Sequence, residues 1–144
     1  MEIVGEKNGV IVIDDFAHHP TAINLTIDAV KKAYPKQRVW AVFEPRSATS
    51  RRKVFEESFP TSFLKADRVI LAGLFSPDKI NEEERLDVEA VVASICNLGG
   101  VAYFLPEVDD IVDYIIKNSR QGDVILVMSS GGFGGIHQKI LERL

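Results

Sequence analysis

Residues Val10 to Ile13 are apolar without alternation, and the residues after them are densely polar: the stretch Val10 to Thr21 reads VIVIDDFAHHPT. A strand that is apolar on both sides has to be covered on both sides, and strands of that kind belong to parallel sheets flanked by helices. Pro20 suits the first turn of a helix, where its missing N–H would have no partner anyway. Asp14 to His19 then form the strand-to-helix crossover. In open α/β sheets ligands bind beyond the carboxyl ends of the strands, so chemistry is expected at this crossover.

The remaining chain repeats the theme. Glu2 to Glu6 alternates weakly and Asn8-Gly9 follows, the signature of a tight hairpin turn, which predicts an antiparallel edge strand. After Pro20, Ile23, Ile27, Val30 and Tyr34 fall at helical spacing, with Ala22, Leu25 and Ala29 widening the face, and Pro35 ends the helix. Val39 to Phe43 reads as a second apolar strand with Glu44 to Thr49 as its exit loop. Arg51 to Leu64 reads as a helix burying Val54, Phe55, Phe59 and Phe63, with a break or kink at Pro60. Val69 to Ala72 is a strand, and Gly73 to Leu86 is polar and charged, as in a long mobile loop.

Asp87 opens a helix with the stripe Val88, Val91, Val92 and Ile95, closed by Gly99-Gly100. Strand Val101 to Leu105, helix Val108 to Ile116 and strand Val124 to Met128 follow, then a glycine-rich turn and a closing helix carrying Ile136, Ile140 and Leu144. Strands alternating with helices predict a Rossmann-like α/β fold over residues 1–144 as a single domain: a doubly wound, mainly parallel six-stranded sheet, one antiparallel edge strand, helices on both faces.

Charge and composition remove several function classes. Seventeen basic against 21 acidic residues give a net charge of −4 with no concentrated block of either sign, which argues against nucleic acid as a partner. No apolar run approaches the roughly 20 residues of a membrane span, and MEIVGEKNG lacks the apolar core of a signal peptide. The single cysteine, Cys96, lies in an apolar helical pattern and is expected to be a buried, inert thiol. A cytoplasmic protein is expected.

Three constellations carry chemistry. Asp14, Asp15, His18 and His19 are the residue types that bind zinc or manganese, and would suit a free-standing metal-dependent phosphoesterase. The same aspartates can instead cap backbone N–H groups, as can a histidine before a helical proline. Gly131, Gly132 and Gly134 stand between a strand and a helix, where backbone N–H groups favour anions, although small residues also let a helix pack closely on a strand. The Gly-Lys-Ser/Thr ending of a phosphate-binding P-loop is missing there. Arg46 differs from the basic run Arg51-Arg52-Lys53 in lying at a strand's carboxyl end, where a guanidinium can hold a carboxylate bidentately.

Asp14-Asp15-Phe16-Ala17-His18-His19-Pro20-Thr21 resembles the segment that opens the C-terminal domain of the bacterial Mur ligases, and the resemblance covers essentially the whole chain. The loops Phe43-Glu44-Pro45-Arg46-Ser47 and Ser130 to His137 look most like the member that joins L-alanyl-γ-D-glutamyl-meso-diaminopimelate to UDP-N-acetylmuramate in peptidoglycan recycling; the L-alanine-adding member is the alternative. The resemblance implies a ligase of three domains, with ATP and Mg2+ bound mainly by a central domain whose P-loop is not found here. UDP-N-acetylmuramate, the murein tripeptide and the N-terminal and central domains are the implied partners, and the isolated domain is expected to be inactive. By position, Asp15 resembles the family's ribose-contacting aspartate and His18 its neighbour, with Asp14, Phe16 and His19 in support. Phe16 replaces the family's common tyrosine. Arg46 lies where relatives place a basic residue toward the amino substrate, and the Asn-Pro-Arg signature of the diaminopimelate-adding sibling is absent from Gly73 to Lys79.

Overall fold

The computed structural model describes residues 1–47 and 51–144, except for the side chain of Val54. Its centre is Val39–Phe43 (β3) and Val124–Met128 (β6), two adjacent parallel strands buried at every position. Val10–Asp15 (β2) pairs with β6 on the other side, Glu2–Lys7 (β1) pairs antiparallel with β2, and Arg68–Leu71 (β4) and Ala102–Phe104 (β5) extend the sheet beyond β3. The order β1-β2-β6-β3-β4-β5 makes a six-stranded sheet with one antiparallel edge, as the patterning predicts. Asn8 and Gly9 turn the first hairpin with φ of 52° and 78°, the left-handed conformation this short turn requires.

The strict two-residue period of the strands builds two cores. Val39, Ala41, Phe43, Val124, Leu126 and Met128 face Pro20–Ala33 (α1), Phe59–Ser62 (α2) and Val88–Asn97 (α3). Trp40, Val42, Ile125 and Val127 face Val108–Asn118 (α4) and Ile136–Arg143 (α5). Helices on both faces are what strands apolar on both sides demand.

Several expectations need correction. Leu25 and Ala29 of α1 are not part of its buried face; Leu25 is exposed and stands about 200° around the helix from Ile23, so it cannot share the face of Ile23, Ile27 and Val30. Arg51 to Leu64 is not one helix. It contains a single 3-10 turn, Lys53–Phe55, and then the short α2, which starts afresh with Pro60 in its first turn because a proline inside a continuous helix would remove a hydrogen bond and clash. Phe59 and Phe63 are buried as expected, while Ala48 and Thr49 of the exit loop, and the Val54 side chain, lie outside the described residues. Gly73 to Leu86 holds two 3-10 turns, Pro77–Lys79 and Glu82–Glu84, and is anchored by buried Ile80 and Leu86 and by Arg51, whose Nη1 donates to the Phe75 and Ser76 carbonyls at 2.8 and 3.2 Å. Cys96 is exposed, because it falls one residue past the Val88–Val91–Ile95 stripe. Asp87 caps α3 as its position suggests, accepting from the Ala90 N–H at 3.0 Å. Among the described residues no helix is long and apolar enough to cross a membrane.

Candidate functional site

Three neighbouring strands deliver the site. Met128 of β6 is the register partner of both Asp15 of β2 and Phe43 of β3, so Phe16, Ser129 and Glu44 leave the sheet side by side. Backbone pairing continues into the loops: Ser129 N–H donates to the Asp15 carbonyl at 3.2 Å, and Glu44 N–H to that of Met128 at 3.1 Å.

The pleat of β2 separates its two acids. Asp14 is on the α5 face, where its Oδ1 lies 2.8 Å from Nε2 of His137. Asp15 is on the α1 face, where Oδ2 accepts from the Ala17 N–H at 2.9 Å and the Thr26 hydroxyl at 3.3 Å, while Oδ1 lies 3.2 Å from the Met1 amino group. Asp15 therefore caps the turn after its strand, whereas His19 precedes α1 without a side-chain cap. His18 Nδ1 sits 3.0 Å from the Phe16 carbonyl oxygen. The rings of Phe16, His18, His19 and Phe55 succeed one another at centroid distances of 5.6, 4.7 and 5.3 Å, and Phe16, 66% exposed, heads this row. Asp14, Asp15, His18 and His19 are thus not gathered as a ligand set, and among the described residues no three His, Cys, Asp or Glu side chains are arranged to hold a metal ion. The phosphoesterase alternative loses its geometric basis.

Arg46 and the glycine loop do meet. The guanidinium lies 3.7 Å above the Phe75 ring centre, and its stem rests on Gly131 so closely that a Cβ there would come within 1.9 Å of Nε. Any side chain at 131 would therefore push the Arg46 guanidinium out of this seat. The loop then takes three successive positive φ values, 47°, 60° and 71° at Phe133, Gly134 and Gly135, which seat the Phe133 ring in the core and start α5; Gly132 has open space beside it. Non-glycine residues seldom adopt positive φ, so Phe133 is held there by its burial.

Beneath Arg46 lies a relay that patterning did not single out. Gly131 N–H donates to Ser129 Oγ at 3.1 Å, and the Ser129 hydroxyl donates to Glu44 Oε1 at 2.8 Å. Both side chains are buried, and Arg46 Nη1 stands 3.8 Å from the same Glu44 oxygen. Their signal was positional: Glu44 follows β3 and Ser129 follows β6 as the first polar residue at each carboxyl end. Glu44 also lines a pocket of about 430 Å³ with Gly73, Phe75, Pro106, Glu107 and Phe133, within the roughly 300–1,000 Å³ typical of small-molecule sites.

Residues 1–131 match the family model described as Mur ligase, glutamate ligase domain. The chain is 42% identical over 145 residues to the UDP-N-acetylmuramate–L-alanyl-γ-D-glutamyl-meso-2,6-diaminoheptandioate ligase of Escherichia coli, covering 100% of this chain and 30% of that protein. It is 32% identical over 142 residues to the UDP-N-acetylmuramate–L-alanine ligase of Caldanaerobacter subterraneus, covering 99% of this chain and 30% of that one. The solved murein peptide ligase of Psychrobacter arcticus superposes with a TM-score of 0.84 at 36% identity, covering 99% of this chain and 29% of the other. The chain therefore spans about 30% of the length of the curated relatives it matches. Sequence, sheet order and the match over residues 1–131 agree that this chain belongs to the Mur ligase family.

Proposed function

We propose that this chain is the C-terminal, nucleotide-closing and amino-substrate-binding domain of an ATP-dependent ligase that joins L-alanyl-γ-D-glutamyl-meso-diaminopimelate to UDP-N-acetylmuramate in the cytoplasm. In that reaction ATP phosphorylates the muramate carboxylate, the peptide amine attacks the acyl phosphate, an amide forms and phosphate leaves. ATP and Mg2+ are held mainly by the central domain. The residues here suit the nucleoside end only: Asp15 offers a carboxylate acceptor to the ribose, with the His18 ring and the exposed Phe16 face beside it. The phosphates are not accommodated by residues 131–135, which lack a P-loop lysine.

The observation that carries the reading is the contact between Arg46 and Gly131 at the edge shared with Asp15. An arginine fork beside backbone N–H groups supplies carboxylate-binding donors without a catalytic group. L-Alanine offers one carboxylate and a methyl group, whereas the tripeptide carries several carboxylates and can extend from Arg46 into the neighbouring pocket walled by Glu44 and Phe75. The test is amide formation by the full-length ligase carrying this chain, with ATP, UDP-N-acetylmuramate and either acceptor, read by mass spectrometry. Peptide addition is expected, with no ATP turnover by the 144-residue chain alone. Preferential addition of alanine overturns the proposal.

A further inference from the structure

We infer that Glu44 is a specificity residue that binds the distal ammonium group of the acceptor peptide, beside Arg46, which takes the carboxylate on the same carbon; the inference rests on the function proposed above. An acid whose task was to anchor Arg46 would accept a bidentate fork at about 2.7–2.9 Å. Here the closest approach is 3.8 Å, and the guanidinium is spent on the Phe75 ring, 3.7 Å from its centre. Glu44 is instead fixed by the Ser129 hydroxyl, whose own oxygen is occupied by the Gly131 N–H. That relay leaves the hydroxyl proton pointing at the carboxylate and sets Glu44 in the wall of the 430 Å³ pocket.

The surroundings suit a cation. Glu44 is only 8% exposed, and a buried carboxylate with its cation at 3.8 Å is incompletely compensated. A ligand ammonium completes it. Glu107 lines the same pocket and does not cap α4 with its side chain, so a second acid is at hand, while Phe75, Pro106 and Phe133 supply apolar walls. An acid and a guanidinium side by side form the complement of an α-amino-acid end, in which ammonium and carboxylate share one carbon. The diaminopimelate terminus of the proposed peptide is such an end.

The test uses the full-length ligase and two acceptors: the diaminopimelate tripeptide and the same peptide with its distal ammonium replaced by hydrogen. The unaltered enzyme is expected to favour the ammonium peptide in kcat/KM by about tenfold or more, since a site built for a polar group rejects an analogue lacking it. Glu44→Gln keeps an acceptor for Ser129 and removes the charge, and is expected to reduce that preference about tenfold, through KM. Equal use of the two peptides by the unaltered enzyme, or an undiminished preference in Glu44→Gln, overturns this inference while leaving the ligase reading intact. If the unaltered enzyme adds neither peptide, the ligase reading falls and the inference with it. Should Glu44→Gln not fold, Glu107→Gln at the other acid of the pocket takes its place: a preference retained there supports Glu44, and one abolished there overturns the inference.

Discussion

The two ends of the parallel sheet each bury a carboxylate, and they treat it differently. At the amino edge Asp123, just before β6, accepts from Arg38 Nη2 at 2.7 Å and Nε at 3.1 Å, from Trp40 Nε1 at 3.0 Å and from the Arg120 N–H at 2.9 Å. Burial pushes this carboxyl up, but the Arg38, Arg120 and Trp40 hydrogen bonds outweigh it and hold Asp123 below the ordinary carboxylate range; Arg38 is raised in turn by its bond to Asp123. At the carboxyl edge Glu44 has the Ser129 hydroxyl, with its nearest guanidinium 3.8 Å off and stacked on a ring. A carboxylate surrounded by donors is a structural rivet. One that lines a pocket beside a displaced cation is built to receive something.

Removing the rivet should have the largest effect. Asp123→Ala leaves Arg38 without its counter-ion and the Trp40 N–H unpaired in the core, and is expected to destabilise the chain by about 3–5 kcal/mol in urea unfolding. A loss under about 1 kcal/mol would place Asp123 among ordinary surface ion pairs and erase the contrast. The acid limb checks the same group. Its folded pKa is depressed, so its contribution is complete above the unfolded value of about 4 and is lost as pH falls through the lower folded value. Asp123→Asn should therefore lose less stability than the unaltered chain as pH falls below about 4.

The sheet was more legible than either of its carboxylates, since Arg38 and Asp123 meet across 85 residues that no local pattern links. Val39–Phe43 and Val124–Met128 appear at their predicted limits because continuous apolar runs leave no choice but burial on both faces. Arg46 stands out in the sequence because it is charged and follows a strand. Glu44 and Ser129 follow strands too, but their meaning lies in a contact across 85 residues, and no local pattern encodes that. The pairing of Asp14 with His137 spans 123 residues and was invisible for the same reason. Periodicity fails differently at Arg51 to Leu64, where an apolar helical stripe survives although Pro60 restarts the helix.

Asp15 stands between the two extremes, since it is both a cap and a proposed ligand group. In the full-length ligase Asp15→Ala should raise the KM for ATP about tenfold or more, the loss of a charge-assisted contact worth roughly 1.5–3 kcal/mol. Because its Oδ2 also accepts from Ala17 and Thr26, stability should fall by about 1 kcal/mol. A stability loss with an unchanged KM for ATP would assign Asp15 to the structural class alone.

The smallest expected effect falls on Arg46, and it is the most selective. Arg46→Lys keeps the charge but loses the planar fork and the stacking on Phe75, so peptide binding should weaken about tenfold while the KM for ATP stays within about twofold. Stability should scarcely change, because a partly exposed arginine contributes little to folding. Gly131→Ala approaches the same contact from the opposite side: the added methyl would overlap Nε and displace the guanidinium from its seat without altering its chemistry. If the fork works from that seat, the two variants should show the same signature, a peptide-specific loss in isothermal titration of the full-length protein with the tripeptide. Equal losses for ATP and peptide, or a loss in Arg46→Lys that Gly131→Ala does not reproduce, would mean that the position of Arg46 against the glycine loop is a packing detail and that the carboxyl edge reads its substrate elsewhere.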